Sequence, residues 1–149
     1  MKVALLGATG FVGSALLTEA LDRGHIVTAI VPHPENLGKR EGLAARAGDV
    51  YDSTSLATLI HGNDAIISAF NPGWKDPNLY DDQVRGTASI IAAIKNAGIK
   101  RVLWVGGAGG LEGQTRSPRR RQPRSPELGE AWFSGDDRCY GPIAERTGT

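Results

Sequence analysis

The sequence predicts an α/β fold, in which helices cover a doubly wound parallel sheet. Short apolar runs recur along residues 1–105, and segments with helical spacing of apolar residues separate them. The first apolar run, residues 3–6, leads directly into a glycine-rich turn and then into a helical pattern. Because neighbouring parallel strands are joined by helical crossovers, this alternation indicates one parallel sheet with helices packed against it.

The first predicted unit consists of a strand, a helix and a second strand. Lys2–Leu6 is short, apolar and ended by glycine, as in a buried strand. From Phe11 the period becomes helical, and Arg23-Gly24 ends the helix with a basic residue and a glycine. The expected apolar face of this helix comprises Val12, Leu16, Leu17, Ala20 and Leu21. His25–Val31 is rich in β-branched residues and completes a βαβ unit, whose crossover should be right-handed.

The remaining predicted elements keep the same alternation. They are a short helix within Glu35–Arg46, an edge strand near Arg46–Val50, a helix that Ser53 or Ser55 caps and that runs to His61, a strand within Asp64–Phe70, a helix over Asp76–Ala97 and a strand over Arg101–Val105. The long helix should bury a face formed by Val84, Thr87, Ala88, Ile91 and Ile94.

The inferred strand order is 3-2-1-4-5, with the order reversing between strands 1 and 4. In such sheets the ligand lies outside the carboxyl ends of the strands at this switch point. The loops expected to meet there are Gly7–Gly13, Pro32–Pro34, Phe70–Trp74 and Gly106–Gly110.

The glycine turn between the first strand and helix is the main functional signal. Gly7 permits a tight turn, Gly10 removes a side chain that would block an approaching phosphate, and Gly13 lets the helix pack closely. Backbone N–H groups at a helix start are suited to binding a diphosphate, here expected over Thr9 to Val12. The turn therefore predicts dinucleotide binding, with a merely structural glycine turn as the alternative.

The run G-A-T-G-F-V-G after an N-terminal strand resembles the short-chain dehydrogenase/reductase superfamily. It is more narrowly similar to the atypical, NmrA-like branch, which includes NADH-flavin reductases and biliverdin/flavin reductases. The resemblance covers residues 1 to about 112 and implies a Rossmann-type fold that binds NAD(P). The cofactor-binding residues that it implies at the turn are Gly7, Ala8, Thr9, Gly10, Phe11, Val12 and Gly13.

The second strand's end bears on the choice between NAD and NADP. An NAD-selective site usually carries an acid about 20 residues beyond the glycines, bonded to the ribose 2′-hydroxyl. This chain has Val31-Pro32-His33 there and no acid before Glu35. The related family often has an arginine for the 2′-phosphate, which Pro32 replaces here. His33, Lys39 and Arg40 could supply positive charge nearby, so we expect NADPH to be weakly preferred over NADH; the alternative is an ordinary solvated turn.

Further cofactor contacts follow from the family pattern. Asp49 matches an aspartate that accepts a hydrogen bond from the adenine amino group, and Val50 would pack on the ring; the alternative is an Asp in a helix-start turn. Gln83-Val84-Arg85-Gly86-Thr87 resembles the N-V-x-G-T helix segment of extended short-chain reductases, with Gln83 near the nicotinamide or simply solvated. The residues expected to line the nicotinamide side are Ser68, Ala69, Phe70, Gly106 and Gly107.

Most short-chain reductases protonate their substrate with Tyr-x-x-x-Lys, and this chain lacks that pair. Tyr80 is followed four residues later by Val84, and Tyr140 by Ala144. The atypical branch is expected to reduce flavins, quinones or similar conjugated acceptors, which take hydride on a ring and a proton from water. Trp74 and Tyr80 would stack on such a ring, with Asn71 beside them, although packing over the crevice mouth is an equal alternative.

Composition bounds the remaining possibilities. A chain of 149 residues allows one domain with a real core, and a net charge of +1 gives no case for a nucleic-acid or membrane partner. One cysteine excludes an internal disulfide, and three scattered histidines show no metal-ligand spacing. We therefore expect no bound metal. No apolar run is long enough to span a bilayer, so we expect a cytoplasmic protein.

Composition changes abruptly near Gly113. Residues 1–112 carry a net charge of −1, whereas residues 113–149 carry +2 and include an Arg/Ser/Pro run at 115–126. We therefore predict an NAD(P)-binding domain over 1–112 and an irregular tail over 113–149. A truncated or frame-altered C-terminus is favoured over a nucleic-acid-binding tail. The alternatives to a reductase are a non-catalytic, NmrA-like binding module and an inactive fragment.

Overall fold

Within the part of the chain that the structure, a computed structural model, describes (residues 1–73 and 75–106), five strands form one parallel sheet. The strands are β1 (Lys2–Leu6), β2 (Ile26–Val31), β3 (Leu43–Ala47), β4 (Ala65–Ser68) and β5 (Val102–Trp104). Their order is β3-β2-β1-β4-β5, which confirms the predicted Rossmann-type fold and its switch point between β1 and β4.

Helices cover both faces of this sheet. They are α1 (Phe11–Asp22), α2 (Ser53–Ile60) and α3 (Leu79–Ala97), and a short 3-10 helix spans Pro34–Leu37. One core lies under α1 and includes Leu5, Leu17 and Val27. The other core lies under α2 and α3 and includes Leu6, Leu56 and Ile90. Side chains of β1 alternate between the two cores, which explains why its sequence is apolar at every buried position.

The third strand lies earlier in the chain than predicted, and the predicted helix within Glu35–Arg46 is wrong. A single 3-10 turn ends at Gly38, and β3 then runs from Leu43 to Ala47 instead of near Arg46–Val50. The N–H of Val27 donates to the carbonyl of Gly42 at 2.7 Å, which starts the ladder with β2. Pairing with a neighbouring strand therefore overrides the weak local preference of this segment.

Asp52, rather than Ser53 or Ser55, caps α2. Its Oδ1 accepts hydrogen bonds from the N–H groups of Thr54 and Ser55, both at 3.1 Å. Its Oδ2 accepts a bond from the Ser55 hydroxyl at 2.6 Å. These bonds lower the pKa of the Asp52 carboxyl below its usual value of 3.8, because they stabilise the ionised form.

The expected buried faces of two helices are partly wrong. In α3, the buried residues are Gly86, Ile90, Ala93 and Ile94, whereas Val84 is 41% exposed and Ala88 is also exposed. In α1, Val12 is exposed and Gly13 is buried in its place. Each helix docks through a glycine, so the buried stripe is rotated away from the most apolar one. α3 also begins at Leu79 instead of Asp76.

The sheet is buried unevenly. β1 is closed on both faces, but in β5 Val102 is 47% exposed and Leu103 is 55% exposed.

No helix within residues 1–73 and 75–106 has the length and apolar character needed to cross a membrane. The same residues hold no cluster of acidic, histidine and cysteine side chains placed to bind a metal ion. The expected boundary at residue 112 and the expected irregular tail lie outside the described residues.

Candidate functional site

The turn after β1 is held by contacts between backbone atoms. Gly7 has a φ of +77°, and the N–H of Gly10 donates to its carbonyl at 3.0 Å. A Cβ on Gly7 would lie 2.6 Å from the carbonyl oxygen of Ala69, at the end of β4. Only glycine satisfies both conditions, because other residues disfavour positive φ and need that space. The turn and the end of β4 therefore meet without room for a side chain.

Gly13 brings α1 onto the same turn. A Cβ on Gly13 would overlap the carbonyl oxygen of Gly7 and lie 2.7 Å from its carbonyl carbon. The residue is buried although it lies in the first turn of the helix. The first and third glycines of the motif thus have steric roles within the protein, as the sequence predicts.

The start of α1 presents unpartnered N–H groups. Gly10 is the N-cap and offers no side-chain acceptor, and the first turn contains no acid. The first helical bond runs from the N–H of Ser14 to the carbonyl of Gly10 at 2.9 Å. Among the described residues no acceptor takes the earlier amides of Phe11, Val12 and Gly13. A helix start in this state attracts an anion, since its free N–H groups and the helix dipole both favour negative charge.

Space is open in front of Gly10. A Cβ built there meets one neighbour within 4 Å among the described residues, the Gly7 carbonyl oxygen at 3.3 Å. Phe11 and Thr9 are also exposed, and the Phe11 side chain is 97% exposed. Ala8, by contrast, is buried in the α1 core, so that only its backbone faces the turn.

The end of β4 forms the neighbouring wall. Ser68 is fully buried, and its hydroxyl accepts a long bond from the N–H of Phe70 at 3.4 Å. The N–H of Ala69 donates to the carbonyl of Leu6, and that of Val105 donates to the carbonyl of Ser68. These bonds tie the ends of β1, β4 and β5 together, and Gly106 follows as an exposed residue. The strand end presents Ala69 and Phe70, both half-buried, beside the glycine turn.

The turn after β3 carries the predicted base-binding pair. The N–H of Gly48 donates to the carbonyl of Val31 at 3.1 Å, which places this turn beside the end of β2. Asp49 is exposed, and its Oδ1 accepts a bond from the N–H of Tyr51 at 2.9 Å. Val50 is half-buried and packs on the core under α2 and α3. The carboxylate is thus fixed at the surface, with further acceptor capacity on Oδ2.

A stack of side chains links this turn to α3. The rings of Tyr51 and Phe70 meet edge to face, with centroids 5.9 Å apart. The guanidinium carbon of Arg85 lies 4.3 Å from the Tyr51 ring centroid, and Asp82 holds that guanidinium at 2.7 Å. The Phe70 ring fills the notch at Gly86, where a Cβ would overlap it. Burial, followed by the negative charge of Asp82, raises the pKa of the Tyr51 hydroxyl despite opposition from Arg85.

The expected cations near the end of β2 are dispersed. His33 Nδ1 lies 3.2 Å from Glu35 Oε1, and both side chains are exposed. Arg40 donates to the Thr18 hydroxyl on α1 at 3.3 Å, and Lys39 is exposed. His33 follows the end of β2 closely, whereas Arg40 lies along the flank of α1.

The remaining predicted site residues lie around the start of α3. Gln83 Nε2 donates to the Thr87 hydroxyl at 3.4 Å, while Gln83 Oε1 is buried and has no partner among the described residues. Asn71 Oδ1 accepts a bond from the N–H of Gly73 at 2.8 Å, and Tyr80 is half-buried. The predicted contributions of Trp74 and Gly107 fall outside the described residues.

The structure thus places the glycine turn beside the end of β4, and the stack links that strand end to the turn after β3. Sequence reasoning missed Tyr51 and Arg85 as parts of this arrangement. Their signals were present: Tyr51 directly follows the Asp49-Val50 pair, and Arg85 lies within the recognised helix segment. Neither a tyrosine nor an arginine indicates a site by itself. The contacts that bring these two together join segments far apart in sequence.

Comparison with known proteins identifies the class. The sequence profile of a family described as NAD(P)H-binding matches residues 7–133, which is most of the chain. The chain belongs to the NAD(P)H-binding family. The matched range begins at the first glycine of the turn and runs past residue 112. It supports the resemblance to short-chain dehydrogenases/reductases that the glycine motif indicates.

Relatives of this NAD(P)H-binding protein support the assignment. The chain is 36% identical over 111 residues to YwnB of Bacillus subtilis, covering 74% of this chain and 49% of YwnB. It is 31% identical over 126 residues to cinnamoyl-CoA reductase 1 of Oryza sativa, covering 78% of this chain and 37% of the reductase. A solved structure from Bacteroides thetaiotaomicron is 39% identical with a TM-score of 0.72, covering 90% of this chain and 63% of that one. The chain therefore spans about half or less of the length of these two curated relatives.

Proposed function

We propose that this NAD(P)H-binding chain belongs to a reductase that transfers hydride from NAD(P)H to a flavin, a quinone or a similar conjugated acceptor. The cofactor half of this proposal rests on the start of α1, where no described acceptor takes the amides of Phe11 to Gly13 and a Cβ on Gly10 would meet one described neighbour within 4 Å. A diphosphate would accept bonds from these N–H groups and meet the positive end of the helix dipole. Asp49, on the turn after β3, would accept from the adenine amino group.

The acceptor class follows from the proton requirement. Reducing a ketone needs a donor near the carbonyl oxygen, which Tyr-x-x-x-Lys supplies in most short-chain reductases. None of the three tyrosines here has a lysine four residues on, since Ser55, Val84 and Ala144 occupy those positions. A conjugated ring takes hydride on the ring itself and a proton from water, and so needs no such pair. Tyr80, half-buried at the start of α3, and Asn71 are the described residues proposed to contact it.

NADPH is the proposed preferred cofactor. Its support is the absence of an acid within Val31–His33 together with exposed His33 and Lys39 after β2. Glu35 lies beside His33 and would repel a 2′-phosphate, so we expect the preference to be small. Arg40 contributes less than the sequence suggests, because its guanidinium is directed to Thr18.

A non-catalytic cofactor-binding module is the second candidate. The missing Tyr-x-x-x-Lys pair is compatible with such a module as well as with a reductase of conjugated acceptors. Binding without turnover is what such a module would show. In either case we propose that the partner is a small molecule. We also propose that the protein is cytoplasmic, as the sequence leads us to expect.

Steady-state kinetics and calorimetry on the full chain test the proposal. NADPH and NADH oxidation is followed with FMN, FAD and a soluble quinone as acceptors, and with simple ketones and aldehydes as controls. The reductase assignment expects flavin or quinone turnover, little ketone turnover and a modestly lower Kd for NADPH. Cofactor binding without turnover of any acceptor would favour the module instead, and absence of binding of both cofactors would refute both.

A further inference from the structure

The stack of Tyr51, Phe70, Arg85 and Asp82 joins segments that approach the cofactor site from different directions. Tyr51 belongs to the turn that carries Asp49, whereas Phe70 lies two residues after the end of β4, beside the glycine turn. Arg85 lies on α3 and covers the Tyr51 ring at 4.3 Å. The contacts of Tyr51 with Phe70 and with Arg85 connect residues more than 15 positions apart in sequence, so local chain geometry does not explain them.

The backbone of Phe70, one member of the stack, lies beside the glycine turn. The backbone N of Phe70 lies 3.2 Å from the position that a Cβ on Gly7 would occupy. The Phe70 ring is fixed from the other side by the notch at Gly86. Tyr51 therefore contacts Phe70 through its ring and Asp49 through its N–H, and so connects the Asp49 turn to the residue beside the glycine turn.

We propose that Tyr51 and Arg85 are positioning residues that hold the Asp49 turn at the distance from the glycine turn that the adenine half of the cofactor requires. This inference rests on the proposed binding of NAD(P)H. Tyr51 fixes the turn through its own backbone, because its N–H is the donor to Asp49 Oδ1. Arg85 acts through Tyr51 and contacts neither the glycine turn nor Asp49 within the described residues.

The chemistry of the stack suits a fixed brace. Edge-to-face aromatic contact and a cation above a ring both have preferred geometries, so they set distance as well as contributing attraction. Asp82 lies one turn before Arg85 on α3, and its carboxylate forms an ion pair with the Arg85 guanidinium at 2.7 Å. This pair orients the guanidinium. The ring, not the hydroxyl, makes the contact with Phe70, so phenylalanine should replace Tyr51 with little loss.

Cofactor fragments separate positioning from general stability. Calorimetry measures Kd for NADPH, for 2′-phospho-ADP-ribose, which carries the adenine half, and for reduced nicotinamide mononucleotide. Tyr51→Leu and Arg85→Met should each weaken the adenine-half fragment by roughly tenfold, as expected from losing one or two such contacts. Their affinity for the nicotinamide fragment should fall by less than about threefold, because Phe70 is the member of the expected nicotinamide lining that the stack contacts, whereas Ser68, Ala69 and Gly106 lie outside it.

Three variants serve as controls. Tyr51→Phe should restore the affinity for 2′-phospho-ADP-ribose, and Lys95→Met removes a cation from the opposite end of α3 and should change neither fragment. Gly10→Val should lose every ligand that contains the diphosphate. Thermal melts of all variants without ligand report whether the fold is intact.

The outcomes distinguish this inference from the proposed function. If Gly10→Val loses NADPH but Tyr51→Leu and Arg85→Met bind both fragments as the parent does, the positioning role is wrong and cofactor binding stands. Equal losses for both fragments, in parallel with a lower melting temperature, would show a merely structural role and would also overturn it. If the parent chain binds neither cofactor, the proposed function itself has failed.

Discussion

The two turns that flank the candidate cofactor site are held by different kinds of contact. At the glycine turn, backbone meets backbone, and a Cβ on Gly7 or Gly13 would overlap neighbouring main-chain atoms. At the Asp49 turn, a backbone bond from the N–H of Gly48 to the carbonyl of Val31 is joined by side-chain contacts through Tyr51, Phe70 and Arg85. Backbone contacts leave no degree of freedom to relax, whereas side chains can change rotamer. Gly7 and Gly13 in the first turn should therefore tolerate almost no substitution, and the side chains at the second turn should tolerate conservative ones.

Gly13→Ala is expected to have the largest effect. The added Cβ would overlap the Gly7 carbonyl, which cannot move without breaking the contact of the turn with Ala69. We expect a loss of roughly 3 kcal/mol in the free energy of unfolding, near the upper end for overpacking. Urea unfolding monitored by circular dichroism measures this loss.

Gly62→Ala is the matched control for Gly13→Ala. Gly62 has a φ of +77° but no neighbour within 4 Å of a Cβ among the described residues. It should cost only about 1–2 kcal/mol, the strain of a left-handed backbone. A smaller loss for Gly13→Ala than for Gly62→Ala would show that the glycine turn relaxes more easily than its contacts indicate.

Gly86→Ala tests whether a side chain can move to relieve an overlap that a backbone contact cannot relieve. Its Cβ would overlap the Phe70 ring, which can turn away at the expense of the contact with Tyr51. We expect a loss of about 1–2 kcal/mol on unfolding. Adding Phe70→Leu to Gly86→Ala should recover part of it, because the smaller side chain leaves room. Failure of the second substitution to recover any stability would mean that the overlap is relieved by moving α3 instead.

Gly10→Val separates folding from binding at the glycine turn. The residue is in an extended conformation, with φ −75° and ψ 169°, which valine adopts readily. The cost in stability should be about 1 kcal/mol, the difference between a fair and a poor N-cap. NADPH binding should be abolished, because the side chain would fill the proposed phosphate position. Calorimetry showing unchanged affinity would place the diphosphate elsewhere.

The cap of α2 provides the smallest expected effect, and one that depends on pH. The folded-state pKa of Asp52 lies below its usual 3.8, so its contribution is present above that value. It is lost as the pH falls through the lower, folded-state pKa. Asp52→Asn, which keeps an N-cap acceptor, should lower stability slightly at neutral pH and flatten the acid limb of the stability curve. Thermal melts between pH 2 and pH 7 measure both effects; an unchanged acid limb would contradict the assignment.

Local signals predicted the first half of the fold well. β1 and the glycine turn are specified by adjacent residues, since an apolar run, a tight turn and a helix start all lie within Lys2–Gly13. Alternation of strands and helices indicates a parallel sheet, and the structure confirms both the sheet and the inferred strand order. Features that depend on neighbours in the chain were therefore accessible without any structure.

Features that depend on distant partners were not accessible. β3 forms because β2 offers a ladder, and the segment Leu43–Ala47 has little strand preference of its own. The buried face of α3 is set by the Phe70 ring docking at Gly86, which favours a stripe that is not the most apolar one. The roles of Tyr51 and Arg85 come from contacts across the fold for the same reason.

The uncapped start of α1 has a consequence for the choice of buffer. Its free amides do not distinguish a cofactor diphosphate from any other small oxyanion, because both are bound through N–H groups and the helix dipole. Inorganic phosphate or sulfate should then compete with NADPH, raising its apparent Kd at constant ionic strength, whereas chloride should have a weaker effect. Affinities measured in phosphate buffer would understate the binding strength, and a buffer of an organic cation with chloride as its anion would come closer to it.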